Sequence, residues 1–236
     1  MSFDAHARWM DEALALARAG LGSVWPNPSV GCLIVRGSAV VGRGSTQRGG
    51  RPHAEVVALA EARGEAKGAT AVVSLEPCCH YGQTPPCTEA LIDAQIARAI
   101  VALEDPDPRV DGAGIRALEA AGIQVVVGVR AQEAREMNAG FFKRVQHGRP
   151  LVVVGREPDA WAPDALVCAD DGGLVVDVVR ETEAPWRIEH PARAADELRL
   201  AVAELGARGL TRVFVARDTP LADALLRAGL VDRRDP

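Results

Sequence analysis

Apolar and polar positions recur along this chain in two periods, and the changes from one to the other mark out helices and strands. Residues 4–19 put Trp9, Ala13, Leu16 and Ala17 on one side with charges between them, which predicts an amphipathic helix. Gly20 and Gly22 end it. Residues 30–35 and 39–42 are apolar runs joined through Arg36-Gly37-Ser38, the signature of a hairpin. Helical spacing returns over 54–63 with Val56, Val57, Leu59 and Ala60. Short apolar strands are predicted over 71–75, 99–103 and 124–129, with helices over 88–97 and 114–121 between them. A longer helix, 132–147, is anchored by Phe141-Phe142.

Gly148-Arg149-Pro150 reads as a boundary. Beyond it, strands are predicted over 151–154, 166–167, 174–179 and 212–216, and helices over 194–208 and 221–228. Residues 157–164, with Pro158 and Pro163, form a loop, and 232–236 a polar tail. Strands alternating with helices imply α/β sheets covered on both faces. The opening hairpin makes the first sheet mixed. The expected organisation is two α/β domains, 1–148 and a smaller 149–236.

Composition narrows the function. Of the 236 residues, 48% are hydrophobic and 4% aromatic, so the cores must be aliphatic. A net charge of −5 argues against nucleic acid or an anionic membrane as partner, since both need a basic face. No apolar run approaches the ~18 residues of a membrane span. The first eleven residues are polar and do not read as a signal peptide. Five cysteines is an odd number, and three of them, Cys78, Cys79 and Cys87, are clustered. Such clustering reads as metal binding or catalysis before disulfides, and implies a cytoplasmic protein.

The candidate chemistry lies in residues 53–87. His53, Cys87 and one sulfur of the Cys78-Cys79 pair offer three metal ligands, and Glu55 offers a carboxylate. Three protein ligands leave a fourth tetrahedral position open, the layout of catalytic zinc. Water in such a position becomes a nucleophile near neutral pH. His-x-Glu followed by Pro-Cys is the arrangement of zinc-dependent base deaminases, in which Glu moves protons and does not ligate. Spacing alone does not choose between Cys78 and Cys79. A fourth ligand from His80 or Cys79 would instead make a closed structural site. Residues two apart on a regular helix point different ways, so His53 and Glu55 converge only if the helix start is irregular or Glu55 reaches back. Asn27, between Pro26 and Pro28, is either a turn residue or a pocket amide. The Gly-rich loop 42–50 lacks the Gly-Lys-Ser/Thr ending of a phosphate-cradling loop.

These pieces carry a resemblance. Pro26-Asn27-Pro28 through Val30-Gly31-Cys32, Pro52-His53-Ala54-Glu55, Leu75-Glu76-Pro77-Cys78, Thr84-Pro85-Pro86-Cys87, Asp105-Pro106 and Asn138-x-Gly140-Phe141 resemble the deaminase half of the bifunctional riboflavin-biosynthesis deaminase–reductase family. The resemblance implies a cytidine-deaminase-like three-layer αβα domain with a mixed sheet, followed by a small, truncated reductase-like α/β domain. It implies zinc on His53, Cys78 and Cys87, with Glu55 as proton carrier and Cys79 a packing neighbour. The implied reaction is hydrolytic deamination of 2,5-diamino-6-ribosylamino-4(3H)-pyrimidinone 5′-phosphate, with Asn27, Thr46, His80 and Gln83 around the substrate. Homo-oligomerisation is a further expectation. A zinc deaminase of a related pyrimidine or purine is the alternative, although Tyr81, where Pro-Cys-x-x-Cys enzymes carry Cys, argues against tRNA editing and cytidine salvage.

Departures from the family matter as well. Thr46 stands where His is frequent, and Gln83 where a basic residue is frequent, which points to Arg51 as the cation for the substrate phosphate. In the second half the family's Lys-x-Ala-x-Ser-x-Asp-Gly strand is replaced by Leu151 to Glu157, and its Gly-Gly before a helix by Arg217-Asp218. The chain stops at Pro236, where the family continues into another strand. Residues 149–236 are therefore expected to be an inactive reductase remnant without NADPH; a bifunctional enzyme that keeps NADPH-dependent reduction is the competing expectation.

Overall fold

The computed structural model describes residues 3–170, 173–179, 185–189 and 194–235. Two sheets organise the chain, and contacts divide it into two units: Met1–Gly20 with Pro28–Asn138, and Leu21–Asn27 with Ala139–Pro236.

The first unit contains α1 (Phe3–Gly20), β1 (Gly31–Arg36), β2 (Ala39–Ser45), α2 (Ala54–Ala62), β3 (Thr70–Val73), α3 (Cys87–Asp93), β4 (Arg98–Val101), α4 (Ala113–Ala120), β5 (Gln124–Val127) and α5 (Ala131–Met137). Its sheet runs β2-β1-β3-β4-β5. The hairpin partner β2 and β3 both lie antiparallel to β1, whereas β3, β4 and β5 are parallel, so the sheet is mixed as expected. Burial of all four residues of β3 explains its unbroken apolar run. The core is aliphatic, with Met10, Leu33, Ile34, Leu91, Ile100 and Leu118 fully buried.

Glycines set how closely the helices approach this sheet. A β-carbon on Gly31 would collide with the Ala13 carbonyl in α1. On the next pleat, one on Gly42 or Gly44 would collide with the carbonyls of Ala58 or Ala54 in α2. Residues 42 and 44 share one face of β2 because side chains alternate along a strand. The head of α2 is therefore seated directly on the β2 backbone. The expected three layers follow, with α1 on one face and α2 on the other.

The predicted helix 132–147 is two helices. Asn138 breaks it: its Nδ2 donates to the Ser29 carbonyl at 2.9 Å and its Oδ1 accepts the Ser29 N–H at 2.9 Å. The contact division falls at this residue rather than at the boundary expected at 148, and the helix after it belongs to the second unit. Helix α3 also stops earlier than expected, before Gln95 at a positive φ of 55°.

The second unit comprises Leu21–Asn27, α6 (Ala139–His147), β6 (Leu151–Gly155), a 3-10 turn (Pro158–Trp161), β7 (Ala165–Asp170), β8 (Gly173–Val178), β9 (Trp186–Ile188), α7 (Ala195–Ala207), β10 (Arg212–Ala216), α8 (Pro220–Arg227) and β11 (Arg233–Arg234). Its sheet order is β11-β6-β10-β7-β8-β9. Val152, Val154, Val176, Leu198, Leu205 and Val213 are among its core residues. Strands β9 and β11 are too short for periodicity to show, and β11 falls in what reads as a polar tail. Asp232 ties that tail down. It takes Arg149 at 2.7 and 2.9 Å, Lys143 at 2.9 Å and the Val152 N–H at 3.0 Å. Burial pushes its pKa up, but the Arg149 hydrogen bonds, the Val152 N–H and Lys143 outweigh that and hold it below the ordinary carboxylate value. No helix among the described residues is long and apolar enough to cross a membrane.

Two outcomes are expected. Gly44→Ala forces α2 off β2 and should cost about 1–3 kcal/mol of stability; a urea midpoint equal to that of the parent chain would contradict this packing. Asp232→Asn should destabilise by about 1–3 kcal/mol at neutral pH, since it weakens hydrogen bonds to charged groups. A carboxylate with a depressed folded pKa stabilises above its unfolded value of ~3.9, and the contribution is lost as pH falls through the folded value. Urea titrations of parent and variant should therefore converge as pH drops below ~4 and differ at pH 7.

Candidate metal centre

The centre is assembled by two segments of the first unit. His53 is the N-cap of α2, with extended backbone at φ −70° and ψ 159°. Glu55 is in the helix's first turn. The regular-helix angle between residues two apart does not apply across this junction, and that resolves the conflict posed by the His53–Glu55 spacing. Cys78 follows Pro77 in the loop after β3. Cys87 is the first residue of α3, where Pro86 supplies an extended N-cap at φ −65° and ψ 145°.

His53 Nδ1 lies 3.3 Å from Cys87 Sγ and 3.6 Å from Cys78 Sγ. The three ligand atoms all fall within 4.8 Å of one another. The Cys87 N–H donates to Cys78 Sγ at 3.3 Å. The backbone of Thr88 and its hydroxyl both donate to the Cys78 carbonyl, at 3.2 and 3.3 Å. Cys79 is not in this group; its thiol reaches the Arg109 carbonyl at 3.7 Å. The geometry thus selects Cys78, the choice that spacing leaves open.

Electrostatics bind the four groups together. The hydrogen bond from the Cys87 thiol is the largest influence on Cys78 and, with His53, pulls its pKa down to about 4. The neighbouring Cys78 sulfur, with burial second, pushes the Cys87 thiol far up. Hydrogen bonding to Cys78 raises the pKa of His53. Burial, with the Cys78 charge second, raises Glu55 to about 7. A thiolate beside an imidazole and a second sulfur is the soft-to-borderline donor set that suits a tetrahedral zinc. The residues present fit that ion, and its binding would displace the remaining protons.

The other expected site residues are placed as follows. Thr46 is buried, and its hydroxyl accepts the Val30 N–H at 3.0 Å and donates to the Pro28 carbonyl at 3.2 Å, so it braces backbone. The side chain of His80 is half-buried, and its Nδ1 has no hydrogen-bond partner among the described residues. Gln83 is exposed. Arg51 approaches His53 Nε2 at 3.1 Å and donates to the Thr84 hydroxyl at 2.8 Å. Asn27 lies in the second unit, where its N–H closes a turn onto the Val24 carbonyl at 3.1 Å.

Residues 4–103, which include His53, Glu55, Cys78 and Cys87, match the family model of the cytidine and deoxycytidylate deaminase zinc-binding region. The diaminohydroxyphosphoribosylamino-pyrimidine deaminase of Buchnera aphidicola subsp. Schizaphis graminum is 43% identical over 142 residues, which is 60% of this chain and 97% of the relative. The RibD structure from Acinetobacter baumannii aligns with a TM-score of 0.80 at 31% identity, over 100% of this chain and 88% of that one. The chain belongs to the RibD family. Riboflavin biosynthesis protein RibD of Escherichia coli K12 is 50% identical over 144 residues, 61% of this chain. That match spans only 39% of the E. coli protein's own length. As in the RibD family, the first unit has the cytidine-deaminase-like fold, and its cofactor is zinc.

Sequence reasoning gives no individual role to Glu76, Asp105 or Asp107, which lie in the same unit as the centre of this RibD-family chain. Glu76 is almost fully buried, at 3% exposure. Asp105 is buried, and burial lifts its pKa to about 7. Asp105 Oδ1 takes the Asp107 N–H at 2.9 Å, and Asp107 Oδ1 takes the Arg109 N–H at 2.9 Å, so two consecutive Asx turns shape this loop. The Asp-Pro-Asp-Pro run was the available signal for the turns. Nothing in the sequence signals the burial of Glu76.

Proposed function

We propose that the first unit is a zinc-dependent hydrolase that deaminates 2,5-diamino-6-ribosylamino-4(3H)-pyrimidinone 5′-phosphate, yielding 5-amino-6-ribosylaminouracil 5′-phosphate and ammonia. The observation that carries this reading is a buried carboxylate, Glu55, in the first turn of the helix capped by His53 of the His53–Cys78–Cys87 cluster. His53, Cys78 and Cys87 are the proposed zinc ligands. Bound there, zinc supplies Lewis acidity that makes a water nucleophilic at neutral pH.

The chain's own residues supply the rest. Glu55 takes one proton from the attacking water and delivers it to the ring nitrogen, then takes the second from the added hydroxyl and delivers it to the amine, which leaves as ammonia. A carboxylate with a pKa of about 7 suits both directions of transfer. Its burial keeps bulk water from competing for that proton. His80, whose buried Nδ1 lacks a partner among the described residues, offers a hydrogen bond to the substrate. Thr46 supports the pocket through the backbone of Pro28 and Val30. With Gln83 uncharged, Arg51 is the proposed cation for the phosphate, held by Thr84 on the same loop as Cys87.

The second unit is proposed to be a reductase-like remnant that does not use NADPH. Ligands of open α/β sheets bind at the carboxyl ends of strands. In the second unit that end of β6 is taken by Asp235, which accepts the Arg156 N–H at 2.7 Å and the Trp161 Nε1–H at 2.7 Å and packs on Gly155. The protein's own carboxylate thus holds the backbone N–H that an anionic cofactor would seek. Thiolate ligands favour a reducing compartment, so the reaction is assigned to the cytoplasm, and the chain is proposed to act as a homo-oligomer.

Glu55→Gln should retain about one zinc per chain and lose ammonia release by at least ~10²–10⁴-fold, the scale of general acid–base catalysis. Ammonia release at parental rate would reject the mechanism. Parallel assays with guanine and cytidine test the substrate; faster turnover of either would replace the diaminopyrimidine reading. Metal analysis of serine variants tests the ligands. Cys78→Ser and Cys87→Ser should each lose zinc on gel filtration while Cys79→Ser keeps it, and the reverse pattern would exchange the two neighbouring cysteines.

A further inference from the structure

Glu76 does not touch the metal ligands, yet three backbone N–H groups converge on its carboxylate. Oε2 accepts from Asp105 and from Gly112, each at 3.0 Å, and Oε1 accepts from Ile115 at 3.0 Å. The residue is 3% exposed. A buried carboxylate is costly unless its lone pairs are filled, and these donors fill them.

The identity of the donors is informative. Gly112 is the N-cap of α4 and Ile115 its third helical residue, and α4 has no side-chain cap of its own. These are the two N–H groups that a capping box satisfies from within a helix. In this unit the cap comes from another loop, two residues before Cys78. The third donor, Asp105, opens the turns that end at Arg109, and the Arg109 carbonyl receives the Cys79 thiol at 3.7 Å. One carboxylate therefore joins the segment carrying Cys78 to the head of α4 and to the loop lying against Cys79.

A second observation agrees. A β-carbon on Gly114 would collide with the Pro77 carbonyl and meet Glu76 Oε1 at 3.1 Å. The first turn of α4 is pressed against the two residues that precede Cys78, and only glycine permits that approach.

We propose that Glu76 is a positioning residue of the metal centre, fixing the place of Cys78 by fastening the Glu76-Pro77-Cys78 segment to α4 and to the Asp105 loop. This rests on the reading of His53, Cys78 and Cys87 as ligands. Groups that hold a metal ligand in place without touching the ion govern affinity by about 10–100-fold when altered. An aliphatic residue at 76 could fill the space but would leave three N–H groups unsatisfied and remove the tie from the Cys78 segment to α4 and the Asp105 loop. Glutamine keeps the shape and one acceptor oxygen, while its amide turns a donor toward one of the N–H groups.

The test measures zinc affinity by chelator competition, and the visible absorption of the cobalt-substituted full chain. Glu76→Gln, folded by near-UV circular dichroism, should bind zinc about 10–100-fold more weakly. Its cobalt spectrum should show altered d–d and sulfur-to-cobalt bands. Gly114→Ala keeps Glu76 but pushes on Pro77 and on the Glu76 side chain; it should shift both readouts the same way, and it decides the matter if Glu76→Gln does not fold. A purely structural Glu76 would lower the melting temperature and leave affinity and spectrum at parental values, and that result overturns the proposal. If the parent chain itself takes up neither zinc nor cobalt, the ligand assignment falls, and this inference with it.

Discussion

The half-buried sulfur of Cys78, facing the His53 imidazole and the Cys87 N–H, is the constraint on which the centre turns. An anionic sulfur out of water must be matched by donors or by a cation. Here the Cys87 thiol and N–H and the His53 imidazole all face it. The same negative charge, added to burial, keeps Glu55 from ionising at the ordinary carboxylate value. In the proposed mechanism, metal ligation and proton transfer are thus one electrostatic unit. A change at Cys78 would alter both the donor set for zinc and the protonation of the carboxylate that serves it.

Backbone geometry brings these groups together. His53 leaves from extended backbone while Glu55 sits within the first turn of α2, so the change of conformation between them turns both toward the sulfurs. The seat of α2 on Gly42 and Gly44 fixes the depth of that junction. Cys87 is set in turn by Pro86, whose fixed φ starts α3 at the cysteine. None of these devices is chemical in itself. Each decides where a reactive group points.

This division explains what the sequence made legible. Strand and helix order in the first unit, the mixed sheet, and the group of His53, Glu55 and the clustered cysteines were all readable, because periodicity and residue chemistry are local signals. The choice of Cys78 over Cys79 came from the resemblance alone and not from spacing, since adjacent residues differ only in which way the loop turns them. Glu76 was opaque for a related reason: a carboxylate looks like surface until the three N–H groups that surround it are known, and those lie 29 to 39 residues away. Asn138 read as part of a helix because its partner, Ser29, is 109 residues distant. Long-range polar pairing, unlike hydrophobic periodicity, leaves no pattern along the chain.

The second unit uses carboxylates as ties, in the way the first unit uses Glu76. Asp164 accepts from the Thr211 N–H and hydroxyl and from the Arg212 N–H, at 2.6, 2.7 and 2.9 Å. Asp232 and Asp235 fasten the last strand to β6 through backbone N–H groups and cations. All three acids are held by the protein's own donors, as Glu76 is in the first unit, whereas burial raises the pKa of Glu55 and His80 keeps a buried nitrogen without a partner among the described residues. A carboxylate whose lone pairs are filled by N–H groups serves packing, and one raised toward neutrality beside candidate metal ligands can exchange a proton. Under the proposed mechanism that separates Glu55 from the other buried acids of this chain.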